Sequence, residues 1–322
     1  MRGFYIAVKA AIVSIAVFAP FHVNAQNIVQ LGYGRLVNND FLGDFKDRGQ
    51  TGSYVSSRIY GKAWGESLPT RACEILEFRV QADIKAPENL VNAAAGDRPF
   101  AGSVALGLHT HYEQRGIEIA MGSELFAVGP NTRLDQFQTA LHDALGVAPP
   151  SQSTRDAQVG NKIYPGVVVE FGKPFALDSR SQVRPFVEAR AGVETLVRGG
   201  VDFEIGRMTR GDLMVRDGIT GQRYRTMGLG SGSGGVSFVV GFDTAIVSES
   251  AYLPSSQGLV LTDRRDRVRA GMHWQRKKGH GFVGITYLGR EFKSQASDQL
   301  VGSVRLALKC LRHSSHNPKV HS

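Results

Sequence analysis

The sequence predicts an all-β fold, an antiparallel transmembrane β-barrel of about twelve strands with one short helix in a loop. Three observations predict it. Apolar and polar residues alternate with period two in segment after segment, the alternating segments are long, and the residues opposite the apolar ones are charged. Composition agrees: 42% hydrophobic and 21% charged residues exclude a disordered chain, and past the first 25 residues no apolar run is long enough for a membrane helix.

Residues 1–25 read as a secretory signal, the barrel as 26–311, and 312–322 as a polar tail. Arg2 and Lys9 give the positive start, Ala10 to Ala19 the apolar core, and Val23-Asn24-Ala25 the small-residue cleavage site. The rival reading, a single membrane anchor, would need a longer apolar stretch. Losing the segment takes Lys plus Arg from 38 to 36 against 29 Asp plus Glu, so the net charge falls from +9 to +7. With cations spread along an exported chain, anionic lipid is the expected partner and nucleic acid is not.

Candidate strands follow at 27–38, 52–63, 73–85, 100–112, 115–128, 163–174, 183–197, 201–216, 234–247, 264–277, 281–292 and 300–310. Between Glu74 and Ile84, Leu76, Phe78, Val80, Ala82 and Ile84 take one face, and Glu77, Arg79, Gln81 and Asp83 take the other. Val183 to Val197 reads as one long strand, and Val268 to Gln275 and Leu300 to Lys309 repeat the pattern. A soluble sandwich also alternates, but its strands run about 5–6 residues, whereas a tilted membrane strand takes about 9–11. Gly199-Gly200 and the stretch 277–281 read as short turns, and Arg207 to Gly235 as a long loop. Charges of both signs on the inward faces predict a filled lumen, against a small open porin. Cys73 and Cys310 allow one bridge or two separate thiols.

The segment from Pro130 to Gly146 breaks this rhythm. Leu134, Phe137, Leu141 and Leu145 recur at helical spacing, Thr132 with Asp135 suggests a capping box, and Gly146 with Pro149-Pro150 stops the run. The spacing predicts a helix of about four turns, with His142 at the edge of the apolar stripe, one turn after Gln138.

His142 is the first candidate for a general base, because imidazole titrates near neutrality. Against it stands a helix-border histidine satisfied by a backbone carbonyl. Asn39-Asp40, Asp44, Asp47-Arg48 and Thr51 could gather oxygen ligands for a hard cation, or form a polar loop. Asp97-Arg98-Pro99-Phe100-Ala101-Gly102 reads as a structural turn in which neighbouring Asp and Arg each find another partner. Tyr33-Gly34-Arg35 and Arg207 to Asp212 read as loop or lumen charge. The serine hydrolase, zincin, P-loop and C-x-x-C signatures are absent.

In their order along the chain, Asn39-Asp40, Asp47-Arg48 with Thr51-Gly52, Asp97 to Gly102, Val128-Gly129-Pro130 and Gln138-x-x-x-His142-x-x-x-Gly146 resemble the lipid A 3′-O-deacylase family of outer-membrane barrels. The likeness runs from about residue 28 to about 205 and loosens afterwards. It implies a twelve-stranded monomeric barrel in the outer membrane that removes the 3′-linked acyloxyacyl chain of lipid A by calcium-dependent hydrolysis. By position it makes His142 the base, Asp40 and Thr51 calcium or supporting residues, and Asn39 a polar neighbour needed for activity. Two departures stand out. Ala148 occupies a place where the family commonly has a metal-binding carboxylate, which weakens the calcium site unless Asp143 or Asp156 substitutes. Glu88 to Asn92 carries no cation after Lys85 where the family meets lipid phosphate. These departures motivate the alternative, an inactive barrel with a structural or lipopolysaccharide-binding role. Cys310 also stands where an aromatic residue usually ends an outer-membrane strand.

Overall fold

The computed structural model describes residues 28–206, 211–228, 234–276 and 279–308. The expected signal, the polar tail and Cys310 lie outside these residues, as does most of Arg207 to Asp212. In chain order the strands are β1 (Val29–Asn39), β2 (Gly49–Gly61), β3 (Ile75–Ala86), β4 (Ala101–Gln114), β5 (Ile117–Val128), β6 (Lys162–Gly172), β7 (Phe175–Ala176), β8 (Ser181–Ala191), β9 (Glu194–Ile205), β10 (Leu213–Arg216), β11 (Arg223–Met227), β12 (Gly235–Ser250), β13 (Arg265–Arg276), β14 (Gly279–Leu288) and β15 (Gln299–Leu308). Helices α1 (Leu134–Leu145) and α2 (Gln152–Asp156) lie between β5 and β6.

Every long strand pairs antiparallel with its neighbours, β1 meets β15, and the pairing of β6 with β8 closes the ring. The result is a closed twelve-stranded barrel, with β7 a short extension on β8. Closure leaves no free sheet edge, which a lipid environment requires. No helix among the described residues is long and apolar enough to cross a membrane, and the strands do the crossing.

Burial is inverted relative to a soluble protein, as the alternation predicts. On β3, Glu77, Arg79, Gln81 and Asp83 are buried while Phe78 is 41% exposed. On β4 and β5 the exposed residues include Leu106, Leu108 and Leu125, and on β12 they include Phe238, Val240 and Phe242. An apolar belt outside and a charged interior is the pattern of an outer-membrane barrel.

Three boundary expectations need correction. Val183 to Val197 is not one strand: the chain reverses at Gly192, whose φ of 148° suits a glycine, and Ala191 and Glu194 fall on different strands. Gly199-Gly200 is not a turn but lies within β9, where a side chain on Gly200 would strike Phe186 and Asp243. The long connection after Ile205 is not a simple loop, because β10 and β11 pair as a hairpin whose strand residues are all buried. Period-two alternation persists through a tight turn, so the pattern alone did not show these reversals.

The hairpin fills the lumen. Val215 and Tyr224 pack with Leu36, Val55, Ile59 and Phe282 in a buried cluster. Around it runs a network of ion pairs. Arg216 Nε lies 2.6 Å from Glu170 Oε2 and its Nη2 2.7 Å from Asp202 Oδ2, while its guanidinium stacks 3.6 Å over the Phe186 ring. Asp243 gathers Arg198, Arg267 and Arg269.

Charges this deep stay ionised only because each has a partner. Replacing Arg216 by Ala leaves Glu170 and Asp202 short of their shared cation and is expected to lower the free energy of unfolding by about 3–5 kcal/mol. Arg264→Ala removes an exposed pair with Asp266 and is expected to cost less than about 1 kcal/mol. Denaturant titration of the folded barrel in detergent micelles checks both, and equal effects would contradict this picture of the lumen.

Candidate functional site

The rim that carries the connections 87–100, 129–161 and 251–264 is the end with the longer loops, the extracellular end of an outer-membrane barrel. There β1 stops at Asn39, and its side chain explains why: Oδ1 accepts the Phe41 N–H at 2.9 Å and caps a turn of 3₁₀ helix over Asp40–Leu42. Asn39 Nδ2 also donates to the Thr51 carbonyl at 3.0 Å, which ties the end of β1 to the start of β2. Asp40 is thereby turned inward and buried, and its Oδ2 accepts the Arg48 backbone N–H at 2.9 Å.

Helix α1 crosses this rim with its polar side down. Asp135, Gln138 and His142 are buried, while Phe137 and Leu145 are 60% and 67% exposed. The apolar stripe therefore faces away from the protein, where a barrel in a membrane meets lipid. The helix is twelve residues, preceded by a separate 3₁₀ turn at Pro130–Thr132. The expected capping box does not form. Arg133 adopts left-handed geometry between the two, and the Thr132 hydroxyl donates to the Gly129 carbonyl at 2.8 Å. Gly146 closes the other end with φ 70°, the Val147 N–H reaching the His142 carbonyl at 3.0 Å.

The return of the chain after Gly146 fixes the imidazole. His142 Nδ1 lies 2.8 Å from the Ala148 carbonyl, an acceptor only, so Nδ1 carries the proton. Nε2 lies 2.7 Å from Asp47 Oδ2. Gln138 Nε2 donates to Asp47 Oδ1 at 3.2 Å, and its Oε1 is buried with no hydrogen-bond partner. The Thr51 hydroxyl is buried in the same corner with no hydrogen-bond partner.

Two carboxylates share this corner, and both feel it. Burial first, then the nearby Asp47 and Asp44, push the Asp40 carboxyl up to about 8, against the opposing backbone N–H groups of Arg48 and Phe41. Burial raises Asp47 as well, opposed by His142 and by the hydrogen bond from Gln138. A corner of oxygen donors with two reluctant anions suits a hard cation, which would relieve their repulsion. Among the described residues no three of His, Cys, Asp and Glu assemble as a ligand set. A cation here would lean on Asp40, Asp47, the Thr51 hydroxyl and the Gln138 oxygen, with water for the remainder.

The structure thus brings Asn39, Asp40, Thr51 and His142 to one corner of the rim. Asp143 and Asp156 do not join them. Asp143 is exposed, and Asp156, also exposed, accepts a hydrogen bond from Gln152 within α2. Ala148 contributes its carbonyl and not a carboxylate. Lys85 is spent in the lumen, 2.6 Å from Gln50 Oε1 and paired with Asp83. Arg98 pairs with Glu291 at 2.7 Å, while Asp97 accepts the backbone N–H groups of Glu88 and Arg98, so Asp97 to Gly102 is structural. Sequence reasoning missed Asp47 as the partner of His142; its only signal was its place in the Asp-Arg motif before Thr51.

A model of the family described as outer membrane protein LpxR matches residues 12–310. The solved structure of LpxR from Salmonella typhimurium superposes with a TM-score of 0.69 at 16% identity, over 85% of this chain and 98% of that one. The β domain of the Bordetella autotransporter BrkA matches with a TM-score of 0.39 at 12% identity, over 86% of this chain and 98% of that one. None of the curated protein sequences compared with the chain is similar to it.

Asp40 sets a pH signature. The folded chain holds this proton to about pH 8, whereas the ordinary value is 3.8. That contribution to stability is complete below the unfolded value and is lost as the pH climbs to the folded one. In chelator-treated protein the melting midpoint is therefore expected to fall between about pH 4 and pH 8 and then level off, and Asp40→Asn should remove most of that fall. An unchanged slope in Asp40→Asn would show that Asp40 is not the group responsible.

Proposed function

We propose that this chain, which belongs to the outer membrane protein LpxR family, is an outer-membrane esterase that hydrolyses the 3′-linked acyloxyacyl chain of lipid A with His142 as its base. The observation that carries the reading is the His142 imidazole, buried at the rim of a lipid-embedded barrel, with Nδ1 fixed on a carbonyl and Nε2 turned toward the Asp47 carboxylate. Its surroundings suit a lipid ester. Phe41 and Phe45, ring against ring at 5.4 Å, flank the Asp40 turn, and Phe137 and Leu141 line the exposed side of α1. Acyl chains can lie against these residues while the ester reaches His142 beside them.

With Nδ1–H committed to Ala148, Nε2 is the position that exchanges protons. Asp47 Oδ2, 2.7 Å away, orients that nitrogen. Water at Nε2 gives up its proton as its oxygen attacks the ester carbonyl carbon. When the carbon–oxygen bond to the sugar breaks, the same proton passes from Nε2 to the leaving oxygen, leaving a free sugar hydroxyl and a carboxylic acid. Gln138 holds Asp47 in place, and Asn39 holds the turn that presents Asp40. Calcium, when bound at Asp40, Asp47 and Thr51, would supply positive charge to the carbonyl oxygen as it becomes an oxyanion. One chain supplies all these groups, so a monomer suffices.

The second reading, a lipopolysaccharide-binding or structural barrel without chemistry, is favoured by two observations: Ala148 in place of a carboxylate, and Lys85 held in the lumen away from any lipid phosphate. Mass spectrometry of lipid A from cells with and without the chain separates the two. Loss of the 3′ acyloxyacyl mass in the presence of calcium supports the esterase, and unchanged lipid A in folded, calcium-replete protein supports the inactive barrel.

Two substitutions sharpen the test. His142→Ala is expected to lower turnover by about 10²–10⁴ with the heat-modifiable mobility of the barrel unchanged. Retained turnover would remove His142 from the chemistry. Ala148→Glu keeps the carbonyl that orients His142 and adds a carboxylate, so half-maximal activity is expected at about tenfold less calcium. No shift in that calcium requirement would place the cation elsewhere.

A further inference from the structure

The β10–β11 hairpin enters the lumen from the end opposite the candidate site. β9 ends at Ile205 and β12 begins at Gly235 at that end, whereas Asn39 pairs with Gly302 at the other rim. Within the lumen the hairpin runs along the inner face of β1, whose inward positions are Gly32, Gly34, Leu36 and Asn38. A side chain on Gly32 would strike Thr226 and Met227, and one on Gly34 would strike Tyr224, Arg225 and Thr226. Leu36 packs in one buried cluster with Val215 and Tyr224. Two glycines therefore clear a track, and the track ends at Asn38.

There the hairpin's turn meets the strand. Asn38 Nδ2 donates to Asp217 Oδ2 at 3.2 Å, and both residues are only 1% exposed. The same carboxylate oxygen accepts the Thr220 N–H at 2.8 Å and the Thr220 hydroxyl at 2.7 Å, which shapes the turn. Arg267 Nη1 donates to the Gly218 and Ile219 carbonyls at 3.0 and 2.8 Å, bracing the turn from another wall of the barrel. Asn38 is itself a junction, with Nδ2 also donating to Ser53 Oγ at 2.9 Å and Oδ1 accepting from Ser303 Oγ at 2.6 Å. Among the described residues the seam between β1 and β15 pairs only at Val37, Asn38 and Asn39. One buried amide thus joins β1, β2, β15 and the hairpin where the barrel closes, one residue before Asn39 and two before Asp40.

We propose that Asp217 and Asn38 are positioning residues for the rim site, with the hairpin a strut whose tip fixes Asn38 and, through the backbone, the Asn39–Asp40 turn. Neither touches the reacting atoms. The effect on turnover rests on the esterase reading; the ordering of the turn does not.

The test uses the folded full-length protein in micelles and three variants: Asp217→Ala, Asn38→Ala and Asp217→Asn. An Asn amide oxygen can accept all three hydrogen bonds that Asp217 Oδ2 accepts, so this variant is the rescue. Amide hydrogen exchange over residues 39–48 is expected to quicken about tenfold in the two Ala variants and to stay at the wild-type rate in Asp217→Asn. With lipid A as substrate, kcat is expected to fall about tenfold in Asp217→Ala with KM within about twofold, and to recover in Asp217→Asn. If Asp217→Ala does not fold, Asn38→Ala breaks the same contact from the barrel side. Wild-type exchange in the folded Ala variants, or exchange in Asp217→Asn as fast as in Asp217→Ala, overturns the proposal. A wild-type protein that releases no acyl chain defeats the esterase reading alone, and the exchange pattern still decides the strut.

Discussion

The constraint behind the whole molecule is that a strand crossing lipid must send its apolar side chains outward, so the interior has to be built from polar groups that neutralise one another. In this barrel the solution is a lumen of paired charges, with Arg216 between Glu170 and Asp202, and Asp243 among three arginines. Such groups stabilise the fold only when the set is complete, because each unpaired member would be an uncompensated buried charge. The inward hairpin belongs to this logic. Arg216, Arg223 and Arg225 bring cations to Glu170, Glu204 and Asp212, and Tyr224 fills the space between walls.

The lumen is filled, and the candidate site lies at the rim. The groups gathered there differ in kind from those inside. Lumen carboxylates are paired with guanidinium groups, whereas Asp40 has backbone donors and an acidic neighbour and keeps its proton to about pH 8. Asp47 leans on an imidazole and a neutral amide. A corner that lacks its counter-charge within the protein is suited to take one from outside, and the oxygen-only donor set points to a hard cation. Ala148 brings to that corner no carboxylate, only the carbonyl that orients His142.

Much of this was legible in the sequence. Twelve strands and their faces followed from alternation, since Glu77, Arg79, Gln81 and Asp83 could not all face lipid. The polar motifs at Asn39-Asp40, Thr51 and Gln138-x-x-x-His142 marked the corner, although not its geometry. What was hidden has physical reasons. The reversal at Gly192 keeps the period of two, so a turn looked like a strand. The spacing showed the stripe on α1 but not its direction: a helix at a lipid-facing rim hides its polar side and exposes Phe137, Leu141 and Leu145. The hairpin's charges resembled a solvated loop, because the pairs that neutralise them come from distant strands.

The central claim, that water activated at His142 cleaves the acyl–oxygen bond of a lipid A ester, is tested most directly by hydrolysis in ¹⁸O-water. With purified folded protein, lipid A and calcium, one ¹⁸O atom is predicted in the released acyloxyacyl acid, none in the sugar hydroxyl, and release by His142→Ala slower by about 10²–10⁴. Label in the sugar hydroxyl would contradict attack at the carbonyl, and equal release by His142→Ala would contradict the assigned base.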